Sequence, residues 1–234
     1  MKGRLYGLGV GPGDPELITL KAVRLLTKVP VIAYPAPADG ESLARAIAAP
    51  HIPPGRTEIV IRTPMVPESF PAHDVYDRYA REIADHLEAG RDVAVLCEGD
   101  PFFYGSFMYL FARLAQDYVA EIVPGVSSLS GCTAAAALPL VSRNETLMVV
   151  PAPLAEDILV ERLAQAEAAA IVKVGRHLAK VQRVIDKLGR MREARYVERA
   201  SMAGERVLPL RDAGEGPAPY FSMVLLSGAK GLTP

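Results

Sequence analysis

Leu5-Tyr-Gly-Leu-Gly-Val-Gly-Pro-Gly-Asp14 is the stretch of this sequence that decides the fold. Glycine stands at every second position from Gly7 to Gly13. Successive side chains of a strand point to opposite faces, so this spacing leaves one face of the strand bare. A glycine inside a strand costs up to about 1 kcal/mol relative to alanine. We therefore interpret the bare face as an edge that a bulky ligand approaches, with a purely structural turn as the alternative.

A helix start follows the glycine-rich strand directly. Asp14, Pro15 and Glu16 are typical of an N-cap, a first-turn proline and a first-turn acid. The dinucleotide fingerprint G-x-G-x-x-G is broken, because Asp14 stands where its last glycine would follow Gly9 and Gly11. Strand, glycine edge and helix are the order in which α/β proteins build ligand sites at the carboxyl ends of strands.

Composition indicates a cytoplasmic globular protein. Half of the 234 residues are hydrophobic and 23% are charged. No apolar run approaches the roughly 20 residues of a membrane span, and the amino terminus lacks a signal-peptide pattern. Cys97 and Cys132 are the two cysteines, which we expect to be buried and reduced. The four histidines show no metal-ligand spacing, so no metal site is predicted.

Strand-like and helix-like segments alternate along the whole chain, which predicts an α/β fold in two lobes. The first lobe is expected at residues 1–139 and the second at 140–234, with a hinge near Pro139 to Arg143. Pro64, Pro67 and Pro71 predict a loop in the first lobe. At the end of the chain, strands at 205–210 and 219–226 are expected to form an antiparallel hairpin.

Positive charge gathers in the second lobe. Residues 1–139 carry 12 Lys and Arg against 16 Asp and Glu, whereas residues 140–234 carry 14 against 11. The stretch from Lys173 to Arg206 holds ten basic and four acidic residues, which suits an acidic partner or simply a solvated helix face. Tyr196 is the one aromatic ring among these charges, so the pattern does not indicate nucleic-acid binding.

Four further segments after predicted strands carry polar or aromatic side chains suited to a ligand. The segments are Glu98-Gly-Asp-Pro-Phe-Phe-Tyr-Gly105, the Val123 to Ala137 stretch of small residues, Lys173-Val-Gly-Arg-His177 and Glu198-Arg-Ala-Ser201. In the second of them, Ser127 and Ser128 either cap the next helix or bind a ligand at its start.

Three of the segments quoted resemble the tetrapyrrole methylase family: Gly7 to Ala22, Gly99 to Gly105, and Val123 to Ser128. The resemblance runs from Leu5 to about Leu226 in matching order. It implies S-adenosylmethionine as methyl donor and a tetrapyrrole as substrate. It also implies a homodimer of two-lobed subunits, with the donor folded into the cleft between the lobes.

Within the family, three segments are most similar to members that methylate C20 of precorrin-2, or of cobalt-factor II, in cobalamin synthesis: Gly99 to Leu110, Lys173 to Arg176, and Tyr196 to Met202. Alternatives are another methylation in the family, at C11 of a precorrin, of uroporphyrinogen III, or of ribosomal RNA. The last would favour a net charge more positive than −1. A non-catalytic nucleotide-binding module is the alternative from another class.

The resemblance also implies the site residues. The family's donor contacts map onto strand ends of both lobes: Pro12, Glu98, Gly99, Asp100, Phe103, Ser127, Ser128, Val174, Ala200 and Ser222. Substrate is expected along the glycine edge, at Gly9, Gly11, Gly13 and Asp14. Asp100 and Tyr104 are the candidate catalytic residues, with Glu98 as a further candidate for removing the C20 proton. Many members have glycine where Glu98 stands, so its ligand contact is expected through the backbone.

Methyl transfer from a sulfonium to carbon is an in-line displacement that requires neither a metal nor a covalent enzyme intermediate. Holding donor and acceptor in line can supply roughly 7–11 kcal/mol of the barrier. The scattered cysteines and histidines are consistent with such a reaction.

Overall fold

The computed structural model describes residues 1–63 and 73–229, which divide into two compact units. The first unit is Met1–Ser127 and the second begins at Ser128. The strands of the first unit are β1 (Leu5–Gly9), β2 (Val31–Pro37), β3 (Thr57–Thr63), β4 (Val93–Cys97) and β5 (Ala120–Val123). Its helices are α1 (Leu20–Leu26), α2 (Leu43–Ala48), α3 (His73–Glu88) and α4 (Phe107–Leu114).

The first sheet is parallel throughout, in the order β3-β2-β4-β1-β5. β1 lies between β4 and β5, with Leu8 opposite both Leu96 and Val123. Every residue of β1 and β4 is buried, as expected for central strands covered on both faces. The carboxyl ends of β1, β4 and β5 therefore meet at one edge of the sheet.

Helices cover both faces of this sheet. Ala22 of α1 and Ile47 of α2 belong to the core on one face, whereas Ile83 of α3 and Phe107 of α4 belong to the core on the other. The chain thus leaves the neighbouring strands β1 and β4 toward opposite faces. In α/β sheets a ligand crevice forms where adjacent connections diverge in this way.

The second unit holds α5 (Ser128–Ala135), β6 (Leu147–Pro151), α6 (Glu156–Ala164), β7 (Ala168–Val172), α7 (Leu178–Lys187), β8 (Ala194–Glu198), β9 (Arg206–Pro209) and β10 (Ser222–Leu226). Its sheet has the order β6-β7-β10-β8-β9. β6 and β7 are parallel, and β10 runs antiparallel to both β7 and β8. α6 and α7 pack on one face of the sheet, while Cys132 of α5 joins the core on the other.

The α/β fold in two lobes is confirmed, but the expected hairpin at the end of the chain is wrong. Among the described residues, β9 pairs with β8 at the edge of the sheet, and β10 is inserted between β7 and β8. The reason is burial, since all five residues of β10 are buried and β9 has none. A strand that is apolar on both faces is most stable in the interior of a sheet.

Two boundaries also differ from the sequence-based expectation. The units divide at Ser127/Ser128 and not near Pro139, because α5 packs within the second unit. The helix expected from Pro15 is interrupted: Pro15–Leu17 forms a single 3-10 turn, and α1 begins at Leu20 after Thr19 caps it. The predicted loop prolines Pro64, Pro67 and Pro71 lie outside the described residues. Across the described ranges, no helix combines the length and apolar character needed to cross a membrane.

Candidate active site

Three loops meet at the carboxyl edge of the first sheet: 10–14 after β1, 98–105 after β4 and 124–127 after β5. Gly11 and Gly99 form an antiparallel bridge, in which the Gly99 amide donates to the Gly11 carbonyl at 2.8 Å and the Gly11 amide donates back at 3.3 Å. The structure thus brings together the loops that carry the predicted donor contacts of the first unit, which are Pro12, Glu98, Gly99, Asp100, Phe103 and Ser127.

Asp100 joins two of these loops. Its Oδ1 accepts hydrogen bonds from the amides of Phe102 (2.9 Å) and Phe103 (3.1 Å), and its Oδ2 accepts one from the amide of Gly125 (3.1 Å). Both carboxylate oxygens are therefore engaged within the protein. This changes the expected role of Asp100: its side chain positions the loops and is a poor candidate for the group that accepts the substrate proton.

The bare face of β1 is filled by protein. A Cβ on Gly7 would lie 2.5 Å from the ring of Phe107, and one on Gly9 would lie 2.5 Å from the Gly125 nitrogen and 2.6 Å from the Gly99 oxygen. The expectation that these glycines leave an open edge for substrate is therefore wrong at Gly7 and Gly9. The glycines allow the backbones of neighbouring strand-end loops to approach each other.

Gly11, Gly13 and Asp14 lie beyond the strand and remain predicted substrate residues. Gly11 has φ of +80°, a conformation that other residues rarely adopt. The Asp14 carboxylate accepts a hydrogen bond from the Glu16 amide at 2.8 Å, so it caps the short turn that follows. Pro12 is buried, and Gly13 and Asp14 are half-buried.

The 98–105 loop presents aromatic rings to its surroundings. Phe103 is 38% exposed and Tyr104 is 47% exposed, and their rings meet edge to face at 5.3 Å. Tyr104 has φ of +58°, unusual for a residue with a side chain and of a kind that clusters at functional sites. Phe102 is 45% exposed as well, but its ring packs against Phe107 and Phe111. Phe103 and Tyr104 are thus the rings of this loop best placed for a ligand.

Glu98 is half-buried at the end of β4. Burial raises the pKa of its carboxyl because desolvation disfavours the ionised form, and the amides of Glu98 and Ala44 offset part of that rise. The side chain therefore faces the start of α2. A ligand contact through the Glu98 backbone stays a prediction.

In the second unit, the carboxyl ends of β7 and β8 lie beside the start of β10, because β10 is antiparallel to both. This edge carries the predicted donor contacts Val174, Ala200 and Ser222, all buried. Backbone strain is concentrated here: Lys173, Arg199 and Ser201 have φ of 58°, 52° and 61°. Non-glycine residues in this conformation are a mark of functional sites.

A buried polar network at this edge was not predicted. Glu198, only 3% exposed, accepts a hydrogen bond from the Tyr196 hydroxyl at 2.5 Å and forms an ion pair with Arg206 at 3.1 Å. Burial and the neighbouring carboxylate raise the pKa of the Tyr196 phenol. The sequence pattern placed Glu198 in a strand-end segment without a role of its own, and the signal that was available is an acid as the last residue of a buried strand.

Histidine, cysteine and acidic side chains do not gather in groups of three or more with metal-site geometry within residues 1–63 and 73–229. Both cysteines are buried, and burial raises the pKa of the Cys97 and Cys132 thiols, that of Cys132 to about 12.

Comparison with characterised proteins connects this geometry to a family. Residues 4–213 match the family model of the tetrapyrrole (corrin/porphyrin) methylases. A precorrin-2 C(20)-methyltransferase from Sinorhizobium sp is 44% identical over 97% of this chain and 96% of its own length. A cobalt-precorrin-2 C(20)-methyltransferase from Salmonella typhimurium is 28% identical over 97% of each protein.

Longer relatives match as well. The cobalamin biosynthesis protein CobIJ of Mycobacterium bovis is 44% identical over 98% of this chain, which spans about half (47%) of the CobIJ length.

Solved structures agree with the fold. Cobalt precorrin-4 methyltransferase CbiF superposes with a TM-score of 0.74 at 25% identity, covering 96% of this chain and 94% of that one. Uroporphyrin-III C-methyltransferase from Thermus thermophilus, in complex with S-adenosylhomocysteine, superposes with a TM-score of 0.66 at 26% identity, covering 96% and 97%. The chain belongs to the tetrapyrrole (corrin/porphyrin) methylases.

Proposed function

We propose that this protein is an S-adenosylmethionine-dependent methyltransferase that methylates C20 of precorrin-2, or of its cobalt-containing form, in cobalamin synthesis. The observation that carries the proposal is the 44% identity to a precorrin-2 C(20)-methyltransferase across almost the full length of both proteins. CbiF, which is named for a different substrate, cobalt precorrin-4, matches this chain at the lower identity of 25%.

Each unit, considered by itself, offers groups that would suit such a donor. S-adenosylmethionine would supply a methyl group already activated by a sulfonium centre. The first unit offers the backbone of Glu98 to Asp100 and the exposed ring of Phe103. The faces of aromatic rings attract cations and stack on flat heterocycles. The second unit offers the small buried residues Ala200 and Ser222, which leave room for close approach to the backbone.

The chain's own contribution is placement. Asp100 ties the 98–105 loop to Gly125, and the Gly11–Gly99 bridge ties the same loop to the end of β1. These contacts hold Phe103 and Tyr104 on a rigid edge before any ligand arrives. Pre-organised groups at a reacting centre need little rearrangement during the reaction, which is how placement lowers a barrier. Tyr104 is the remaining exposed candidate for contact with the reacting carbon.

Two measurements test the proposal. Isothermal titration calorimetry with S-adenosylhomocysteine should show saturable binding in the micromolar range. Mass spectrometry after incubation with S-adenosylmethionine should show one added methyl group on precorrin-2, on its cobalt form, or on both. The side-by-side comparison identifies the preferred substrate. Binding without methyl transfer to either compound would favour the non-catalytic module, and absence of binding would overturn the proposal.

The homodimer implied by the family resemblance and the cytoplasmic location expected from composition belong to the same proposal. Light scattering coupled to size-exclusion chromatography should give about twice the 25.1 kDa of one chain. A monomeric mass with full activity would remove the dimer from the proposal.

A further inference from the structure

A pocket of about 300 Å³ lies within the second unit, at the carboxyl edge of its sheet. Tyr196, Glu198, Arg199 and Arg206 line one side of it, and residues of the 213–219 loop line the other. The loop is anchored where the Ala218 amide donates to the Gly175 carbonyl at 3.0 Å. The pocket is large enough for a short acidic side arm and too small for a macrocycle.

The charged side chains that line this pocket differ in whether they pair with an opposite charge. Glu198 and Arg206 form an ion pair, and the Tyr196 hydroxyl satisfies the second oxygen of Glu198. Arg199 is exposed, and its guanidinium has no hydrogen-bond or ion-pair partner within the described ranges. The lining therefore carries one uncompensated positive charge, on a group whose planar fork matches a carboxylate.

Arg199 is also held in place by its backbone. Its amide donates to the Phe221 carbonyl at 2.8 Å, and its carbonyl accepts from the Met202 amide at 2.9 Å. These bonds keep the residue at φ of +52°, a conformation that costs free energy for a residue with a side chain. Hydrogen bonds on both sides of Arg199 maintain this strained conformation and so fix the position of its Cβ. Such strain is consistent with a functional role for the side chain.

We propose that Arg199 binds a carboxylate in this pocket, and that the carboxylate is an acidic side arm of the tetrapyrrole. This inference rests on the proposed function, which supplies a substrate rich in carboxylates. The methyl donor also carries a carboxylate, in its amino-acid portion. The contact would hold the ligand at a distance from the reacting atoms, so Arg199 is expected to contribute to substrate affinity and not to the chemical step.

The test compares Arg199→Gln and Arg199→Lys with Arg192→Gln. Arg192 is a matched control because it is exposed and precedes β8, at the opposite end of the strand from Arg199. For each protein we would measure kcat and KM for the tetrapyrrole, and the Kd of S-adenosylhomocysteine by calorimetry. The Kd of uroporphyrin III, a stable polycarboxylate, would be measured by fluorescence titration. Circular dichroism would check folding.

Arg199→Gln should raise KM for the tetrapyrrole and the Kd of uroporphyrin III by about tenfold, because a charge-assisted hydrogen bond is lost. kcat and the Kd of S-adenosylhomocysteine should stay unchanged. Arg199→Lys should give KM and Kd values between those of Arg199→Gln and the native protein, because lysine keeps the charge but lacks the planar guanidinium that matches a carboxylate. Added salt should weaken tetrapyrrole binding less in Arg199→Gln than in the native protein.

The outcomes separate the alternatives. If only the Kd of S-adenosylhomocysteine rises, the pocket binds a carboxylate but it is the donor's, and the tetrapyrrole assignment is overturned. If Arg199→Gln and Arg192→Gln behave alike in every measurement, the pocket binds no carboxylate. If the native protein transfers no methyl group yet its uroporphyrin III affinity depends on Arg199, the proposed function fails while the carboxylate site stands.

Discussion

Asp100 illustrates how one side chain organises the candidate active site. It accepts hydrogen bonds from three amides, two in its own loop and one at Gly125. A carboxylate used in this way fixes the positions of neighbouring groups, among them Phe103. The consequence is that its removal is expected to affect folding stability and ligand affinity together.

Asp100→Ala should lower the free energy of unfolding by about 1–3 kcal/mol, because three amides lose their acceptor. The loosened loop should also weaken S-adenosylhomocysteine binding. Chemical denaturation and calorimetry measure the two effects. The matched control is Asp39→Ala, which removes an exposed carboxylate of the same unit and should change neither quantity. Native stability and native affinity in Asp100→Ala would contradict the role assigned to this residue.

Glu58 provides a pH-dependent contribution to stability. Arg45 donates to both of its oxygens at 2.9 and 3.0 Å, and Tyr34 donates to one at 2.5 Å. The hydrogen bonds from Arg45 hold the pKa of the Glu58 carboxyl below its ordinary value of 4.5. Because the folded pKa lies below the unfolded one, the stabilisation is complete above the unfolded pKa and is lost as pH falls through the folded pKa.

The free energy of unfolding of the native protein should therefore exceed that of Glu58→Gln by about 1 kcal/mol at neutral pH. The difference should shrink as the pH is lowered below 4.5. Urea denaturation at several pH values measures it. Glu161→Gln, at an exposed position of α6, serves as the charge-matched control. A difference that is independent of pH would show that the carboxylate is not responsible.

At the scale of the element, β1 depends on what packs against its glycines. A Cβ at Gly9 would meet only backbone, of Gly125 and Gly99, which cannot move aside. A Cβ at Gly7 would meet the side chain of Phe107. The two glycines therefore differ in whether a compensating substitution exists.

Gly9→Ala should destabilise the protein at or beyond the upper end of the about 1–3 kcal/mol typical of overpacking. Gly7→Ala should also destabilise it, but adding Phe107→Leu should recover part of the loss. Gly55→Ala is the control: φ there is +78° with open space around, so only the backbone strain of about 1–2 kcal/mol applies. Thermal unfolding followed by circular dichroism gives the order. A fully stable Gly9→Ala that has lost only its activity would restore the open ligand edge.

The position of β10 in the second sheet leads to a prediction about hydrogen exchange. β10 has a partner strand on each side, whereas β9 lies at the edge and pairs with β8. Amides of β10 should exchange near the rate set by global unfolding, and those of β9 much faster. Exchange followed by mass spectrometry of overlapping peptides resolves the two strands. Equal, rapid exchange would be the result expected of a peripheral hairpin.

At the scale of the whole molecule, the proposed reaction transfers the methyl group directly to carbon. The cysteines are unsuited to carry it, because burial raises the pKa of both thiols and leaves them protonated. The double variant Cys97→Ala/Cys132→Ala should therefore keep its kcat, provided that it folds. A chirally labelled methyl donor should give inversion of configuration, and turnover should persist in EDTA. Retention of configuration, or loss of turnover in the folded double variant, would indicate a covalent intermediate.

The sequence by itself determined the kinds of element, their order and the family. Apolar runs, helix caps and glycine spacing are local properties, so β1, β4 and the presence of a helix after β1 follow from residues close together in the chain, whereas the start of that helix at Leu20 did not. Strand-end motifs likewise located the loops of the candidate site. These local signals were sufficient for the α/β fold in two lobes.

Only the tertiary structure decided which residues far apart in the sequence come into contact. Phe107 and Gly125 fill the face that Gly7 and Gly9 leave bare. Asp100 connects two loops because the Gly125 amide lies within hydrogen-bond distance of its carboxylate. The insertion of β10 between β7 and β8, the inclusion of α5 in the second unit, and the pocket beside Arg199 have the same origin. Each depends on burial and pairing between distant segments, and no local pattern specifies which distant segment will be the partner.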